Sequence, residues 1–298
     1  MGLDRPIPVC VSMKDLVFEQ LTVALSGHYV PERDLGHGAM ASVYLAKDLK
    51  HDRLVAIKVL RTAVEDPSAS ERFSREIKFL ANLSHPHILP LFDSGDALGM
   101  LYYVTAYVEG ETLRRHLKQA QNGRLPVGEA ARIIREIADG LDYAHKQNVL
   151  HRDVKPENIL LQDDHALLAD FGIARAIQLT GDKRLTDTGM AIGTPAYMAP
   201  EQLAADRQLD ARTDVFGLGC LAYEIIAGVP PFMGVRGVVD NTLKFTGGLK
   251  PISELRPDVK AHVDEAIAKS LASDPALRYA SAGEFSQALD RARYIEGS

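Results

Sequence analysis

The run His151-Arg152-Asp153-Val154-Lys155-Pro156-Glu157-Asn158 is almost wholly polar or charged, and it stands directly before the strand-like Ile159-Leu160-Leu161. Core packing asks for no such run, because interiors take charged groups only when they are paired. It reads as a loop fixed beside a core so that its side chains can do chemistry. The rest of the chain must therefore supply a large, ordered scaffold. At 298 residues, 46% hydrophobic and 25% charged, it is long enough for one large domain or two closely packed lobes.

The pattern along the chain divides into two parts. Residues 13–25 carry Leu16, Val17, Leu21, Ala24 and Leu25 at helical spacing, with Gly27 as a stop. Residues 29–35, 42–46 and 54–60 are apolar or β-branched segments separated by turn residues, and the region up to about residue 104 reads mostly as strands. One helix interrupts them, over 68–83. From about residue 110 the pattern turns to amphipathic helices such as 128–146, with short strands at 159–162 and 166–169. A strand-rich part followed by a helix-rich part implies an α+β chain in two lobes.

Charge and cysteines narrow the function classes. A net charge of −6 argues against binding nucleic acid through a bulk basic surface. Cys10 and Cys220 lie far apart without metal-ligand spacing, which fits a reducing, cytoplasmic setting. Residues 215–235 are largely apolar but contain Glu224 and Pro230-Pro231, so they read as a buried helix, not a membrane span. The start of the chain lacks a basic region followed by an apolar core, and no signal peptide is expected.

Within the polar run, Asp153 can accept the proton of an attacking hydroxyl or orient that hydroxyl, and Lys155 can neutralise charge on a moving phosphoryl group. Asn158 can bind a metal ion. Asp170-Phe171-Gly172, after a short apolar strand, supplies a second metal-ligating carboxylate, and so sparse a set suits Mg²⁺, which keeps most of its shell for phosphates and water. Earlier in the chain, Leu35-Gly36-His37-Gly38-Ala39-Met40-Ala41-Ser42-Val43 lies between two strands, where glycines let the backbone approach a polyphosphate. Taken alone it could equally be a tight hairpin. Lys58, in Val55-Ala56-Ile57-Lys58, is either solvated or aimed at an anion, and Glu76, eighteen residues on, is a carboxylate that could fix it.

With Gly193-Thr194-Pro195-Ala196-Tyr197-Met198-Ala199-Pro200-Glu201 added, the sequence resembles the eukaryotic-type (Hanks-type) Ser/Thr protein kinases, and most of all their bacterial members. The resemblance covers about residues 28–290. It implies the two-lobed protein kinase fold: a strand-rich N-lobe with one main helix at 28–104, a hinge at 105–109 and a mostly helical C-lobe at 110–298, preceded by an extension at 1–27. It implies ATP with Mg²⁺, or Mn²⁺ in its place, as cofactors. Leu35, Gly36, Gly38, Val43, Ala56, Thr105, Ala106, Val108 and Leu160 then form the ATP site, with Thr105 as gatekeeper. Lys58 holds the phosphates, paired with Glu76; Asp153 is the base, Lys155 the phosphate-stabilising lysine, and Asn158 and Asp170 the metal ligands. Leu80, Leu91, His151 and Phe171 match an apolar spine anchored by Asp214, and Glu201 should pair with Arg278.

The same resemblance implies protein substrates bearing Ser or Thr, with Thr194 in substrate docking near Asp153 and Lys155. Arg152 is the residue type that pairs with a phosphorylated activation loop. Thr186 and Thr188 match loop phosphosites, and a homodimer would serve trans-autophosphorylation. Two departures stand out: Ala41 replaces the third glycine of the loop, and Gly217 stands where a serine is common. A pseudokinase scaffold is disfavoured by the presence of Lys58, Asp153, Asn158 and Asp170. A small-molecule phosphotransferase of the same fold generally lacks the 193–201 segment.

Overall fold

The structure is a computed structural model, and it describes residues 13–38, 41–60, 67–173, 195–206, 208–234 and 238–290. The chain packs as two units, one formed by the described residues up to 71 with 91–107, the other by 72–90 with 108–290.

The first unit is a five-stranded antiparallel sheet in the order β1-β2-β3-β5-β4: β1 Tyr29–His37, β2 Ala41–Asp48, β3 Arg53–Leu60, β4 Leu91–Ala97 and β5 Met100–Ala106. Strand alternation sorts each strand's side chains onto two faces. On β3, Val55, Ile57 and Val59 are buried, with Tyr44 and Ala46 of β2 and Val104 of β5, in a core that Leu21 and Leu25 complete. Leu21 belongs to helix α1, Met13–Ala24, so the N-terminal helix covers one face of the sheet. β-branched residues suit such a pleated, covered surface. The tie between the two ends of this unit is polar: Tyr29 Oη donates to Asp93 Oδ2 at 2.8 Å.

In the second unit, α4 (Val127–Lys146) and α5 (Ala211–Ala227) are central, after α3 (Leu113–Gln119) and the part of α2 (Pro67–Leu80) from residue 72 on, and followed by α6 (Ala261–Ser270) and α7 (Ala282–Asp290). α4 buries Ala130, Ile133, Ile134, Ile137, Ala138, Leu141 and Ala144, a stripe with helical period. α5 is buried from Thr213 to Ala227, which explains why its stretch of sequence reads as nearly continuous apolar. A small antiparallel sheet, β6 (Glu111–Thr112), β7 (Ile159–Gln162) and β8 (His165–Leu168), carries the loops on either side of it. Among the described residues no helix is long and apolar enough to cross a membrane.

Residues 72–90 fall within the N-lobe of the sequence reading, yet they pack with the helical unit. The reason lies in the turn after α2. Leu89 N donates to Leu168 O and Leu168 N to His87 O, both at 2.9 Å, which adds this segment to the edge of β8. His87 Nδ1 meets Ala166 O at 3.0 Å, and Tyr143 Oη of α4 accepts from Ser84 N at 3.2 Å.

Candidate active site

The residues that the sequence reading assigns to catalysis sit on the two loops that flank β7 and β8. Asp153 Oδ2 accepts from Lys155 Nζ at 2.6 Å and from Asn158 Nδ2 at 2.8 Å. Asn158 Nδ2 also reaches the Asp153 carbonyl at 2.8 Å. The sequence thus brings Asp153, Lys155 and Asn158 onto one carboxylate. Both of these donors lie on Oδ2, and among the described residues none is seen on Oδ1.

This arrangement is held from beneath by Asp214, which is 1% exposed. Its Oδ1 accepts from Arg152 N at 2.7 Å, and its Oδ2 accepts from His151 N and from His145 Nε2, both at 2.8 Å. Arg152 adopts φ 64°, in the left-handed region that non-glycine residues seldom occupy. The two backbone N–H bonds to Asp214 flank that strained peptide and hold it. Burial alone would raise the Asp214 carboxyl, but the hydrogen bond from His145 and the neighbouring His151 keep it below the ordinary carboxylate range. Gln202 Nε2 closes the frame by donating to Arg152 O at 3.0 Å.

His151 links this loop to the next one. Its Nε2 meets Ala169 O at 3.0 Å, while Nδ1 accepts from Asp153 N at 3.2 Å, so the ring is neutral and protonated on Nε2. Complete burial, which pushes its pKa down, agrees with that. Gly172 N donates to His151 O and Ala169 N to Asn158 O, both at 2.9 Å. The His151 and Phe171 rings pack in a tilted arrangement, 4.6 Å between centroids. Asp170, at φ 59°, is a second strained residue, held between these two ties.

The donor set suits a hard cation. Asn158 spends its amide nitrogen on Asp153, so its oxygen remains for a metal, and Asp170 adds a carboxylate. No group of three or more His, Cys, Asp or Glu among the described residues could hold a metal without help, so phosphates and water would have to complete the shell.

In the first unit, the register Val43↔Lys58 and Ala56↔Thr105 puts Val43, Ala56, Lys58 and Thr105 on the sheet face opposite α1. Lys58 Nζ lies 5.9 Å from the centre of the Tyr103 ring. Leu35, Gly36 and Gly38 belong to the β1–β2 hairpin, where Gly38 N donates to Ala41 O at 2.8 Å. A side chain added at Gly36 would meet nothing within 4 Å, and one at Gly38 only Ala41 O at 3.7 Å. Neither has a positive φ. Packing among the described residues therefore demands neither glycine. Ala106 ends β5 in this unit, while Val108, Leu160 and Glu76 lie in the second unit.

The segment from Pro195 onward, which the sequence reading links to acceptor docking, is held by two charged clusters. Arg278 donates to both oxygens of Glu201, at 2.7 and 2.8 Å, as expected from sequence. Sequence reasoning missed a second cluster: Arg114 of α3 reaches Glu224 at 2.6 Å, Glu157 at 2.8 Å and Tyr197 Oη at 2.6 Å, and Tyr197 Oη donates to Glu224. It also missed His145, which follows no pattern beyond its place near the end of α4. Thr186, Thr188 and Thr194 lie outside the described residues.

Gly217 has a packing explanation. A Cβ there would stand 3.1 Å from Val154 Cβ, so the missing side chain lets α5 lie close beneath the catalytic loop.

Comparison with known proteins agrees with this geometry. The profile of the protein kinase domain family matches residues 29–290. The chain is 40% identical over 273 residues to the serine/threonine-protein kinase PknB of Mycolicibacterium smegmatis, covering 90% of this chain and 43% of that protein. It is 37% identical over 271 residues to PknH of Mycobacterium bovis, covering 90% and 44%. It therefore spans less than half the length of these relatives. The crystal structure of the Mycobacterium tuberculosis PknI kinase domain superposes with a TM-score of 0.72 at 35% identity, over 89% of this chain and 96% of that one. On its sequence, its catalytic-loop geometry and its fold, the chain belongs to the protein kinase domain family, among the bacterial Ser/Thr kinases of Hanks type.

Proposed function

We propose that this chain transfers the γ-phosphate of ATP to Ser or Thr hydroxyls of proteins, in bacterial cytoplasmic signalling. The observation that carries the reading is the Asp153 carboxylate, loaded on one oxygen by Lys155 and Asn158 and fixed from below by Asp214. Asp153 takes the proton of the acceptor hydroxyl as its oxygen bonds to the γ-phosphorus; the bond from that phosphorus to the β–γ bridging oxygen breaks, and ADP leaves. Lys155 balances charge on the transferring group. The family resemblance assigns Lys58 to the α- and β-phosphates with Glu76 as its partner, Val43, Ala56, Thr105 and Leu160 to the base, and the backbone groups of Ala106 and Val108 to its hydrogen bonds. Asn158 and Asp170 would hold Mg²⁺, which would supply positive charge beside the phosphate oxygens.

The chain acts on itself as well, at Thr188 and Thr186, with Arg152 as the residue that receives the modified loop; a second copy serves as the acceptor in this step. Thr194 orients the incoming hydroxyl. Incubating wild type and Asp153→Asn with Mg²⁺-ATP, followed by phosphosite mapping, tests this. Wild type should carry phosphate on Thr186 or Thr188, and Asp153→Asn, lacking a base that contributes about 10²–10⁴-fold, should be nearly silent over the same time. Phosphate at equal levels in both would remove Asp153 from the role, and active wild type without phosphate on either threonine would remove the loop assignment.

A further inference from the structure

The segment beginning at Pro195 is fastened at three places. Two are charged clusters already described, Tyr197 with Arg114 and Glu224, and Glu201 with Arg278. The third is Lys244, in a single helical turn, Leu243–Thr246. Its residue is 0% exposed, yet Nζ donates to Pro195 O at 2.5 Å and to Met198 O at 2.9 Å.

What surrounds Lys244 is otherwise unfavourable to charge. α5 contributes the Phe216 ring, 5.8 Å from Nζ, and Cys220; Arg278 stands over the same ring at 4.8 Å, and Ser273 Oγ donates to the Lys244 carbonyl. Among the described residues no carboxylate pairs with the ammonium. A buried, unpaired charge is costly, and burial pushes Lys244 down to about 8. Methionine or leucine would fill the same space without that cost. The two carbonyls, three residues apart on one segment, are what the ammonium serves.

We propose that Lys244 is a positioning residue that clamps the segment from Pro195 to Met198 and thereby sets the affinity for the protein acceptor, without touching the reacting atoms. This rests on the reading of the chain as a Ser/Thr kinase and of residues 193–201 as its acceptor-docking segment. The ammonium is lost as pH rises through about 8, so the clamp weakens on the alkaline side. An arginine at this position would stay charged there.

The test uses the full chain with myelin basic protein as acceptor, measuring KM for acceptor, KM for ATP and kcat from about pH 7 to about pH 9, a range that brackets the titration of a lysine lowered by burial. Losing a charge-assisted hydrogen bond in Lys244→Met should raise the acceptor KM about tenfold to a hundredfold, with KM for ATP unchanged. In wild type the acceptor KM should climb above about pH 8, and in Lys244→Arg it should stay flat. The wild-type profile needs no variant to fold, so a flat wild-type acceptor KM overturns the inference by itself. A Lys244→Met protein with wild-type acceptor KM, or with both substrates' KM raised alike, also overturns it. Absence of any transfer by wild type would instead strike the kinase reading on which the inference stands.

Discussion

Asp214 is the residue on which the local geometry converges, since it joins α5 to two peptide N–H groups of the catalytic loop and to His145 at the end of α4. A carboxylate can be buried here because its lone pairs meet three donors. Replacing it by Asn keeps the shape but gives up charge-assisted bonds, and should cost about 3 kcal/mol at neutral pH. The pH dependence has a definite sign. Asp214 is held below the ordinary carboxylate range in the folded state, so its contribution is complete above about pH 4 and is lost as pH falls further. Urea unfolding should therefore show wild type and Asp214→Asn keeping a constant gap above about pH 4 and converging only as pH falls below it, and curves that stay parallel there would contradict the assignment. His151 adds to the loss on the acid side, because burial keeps it neutral in the fold while the unfolded chain takes up a proton near pH 6.5.

Among the elements, those with local signals are legible in sequence and those built by distant pairing are not. The strand of residues 159–162 coincides with β7, and the helix predicted over 128–146 with α4 to within a residue. Asp153, Lys155 and Asn158 share eight residues, so a motif announces them. Arg114 and Glu224, by contrast, are 110 positions apart and each alone reads as a solvated charge. Lys244, between Leu243 and Phe245, gives no sign of the carbonyls 46 and 49 positions earlier. The approach of α5 to α6 is hidden in the same way. At Gly219 an added Cβ would lie 2.2 Å from Ser270 Oγ and 3.1 Å from Leu271 Cδ2, and Ser270 is fully buried. Gly219→Ala should destabilise the chain by about 1–3 kcal/mol through overpacking, and adding Ser270→Ala should recover part of that loss. Denaturation midpoints measure both; additive effects would mean that the two residues do not compete for space.

At the scale of the whole molecule, the chain is a sheet-based unit and a helical unit, each with its own core, and the catalytic loop belongs wholly to the second. The N-terminal helix is part of the first unit's core through Leu21, so the 1–27 extension is integral where it is described. The most direct measurement is incubation with Mg²⁺-ATP and myelin basic protein, followed by identification of the phosphorylated side chains. Wild type should leave phosphoserine or phosphothreonine on the acceptor, and Asp153→Asn close to none. Phosphotyrosine alone, or ATP binding with no phosphate on any protein, would contradict the Ser/Thr kinase reading.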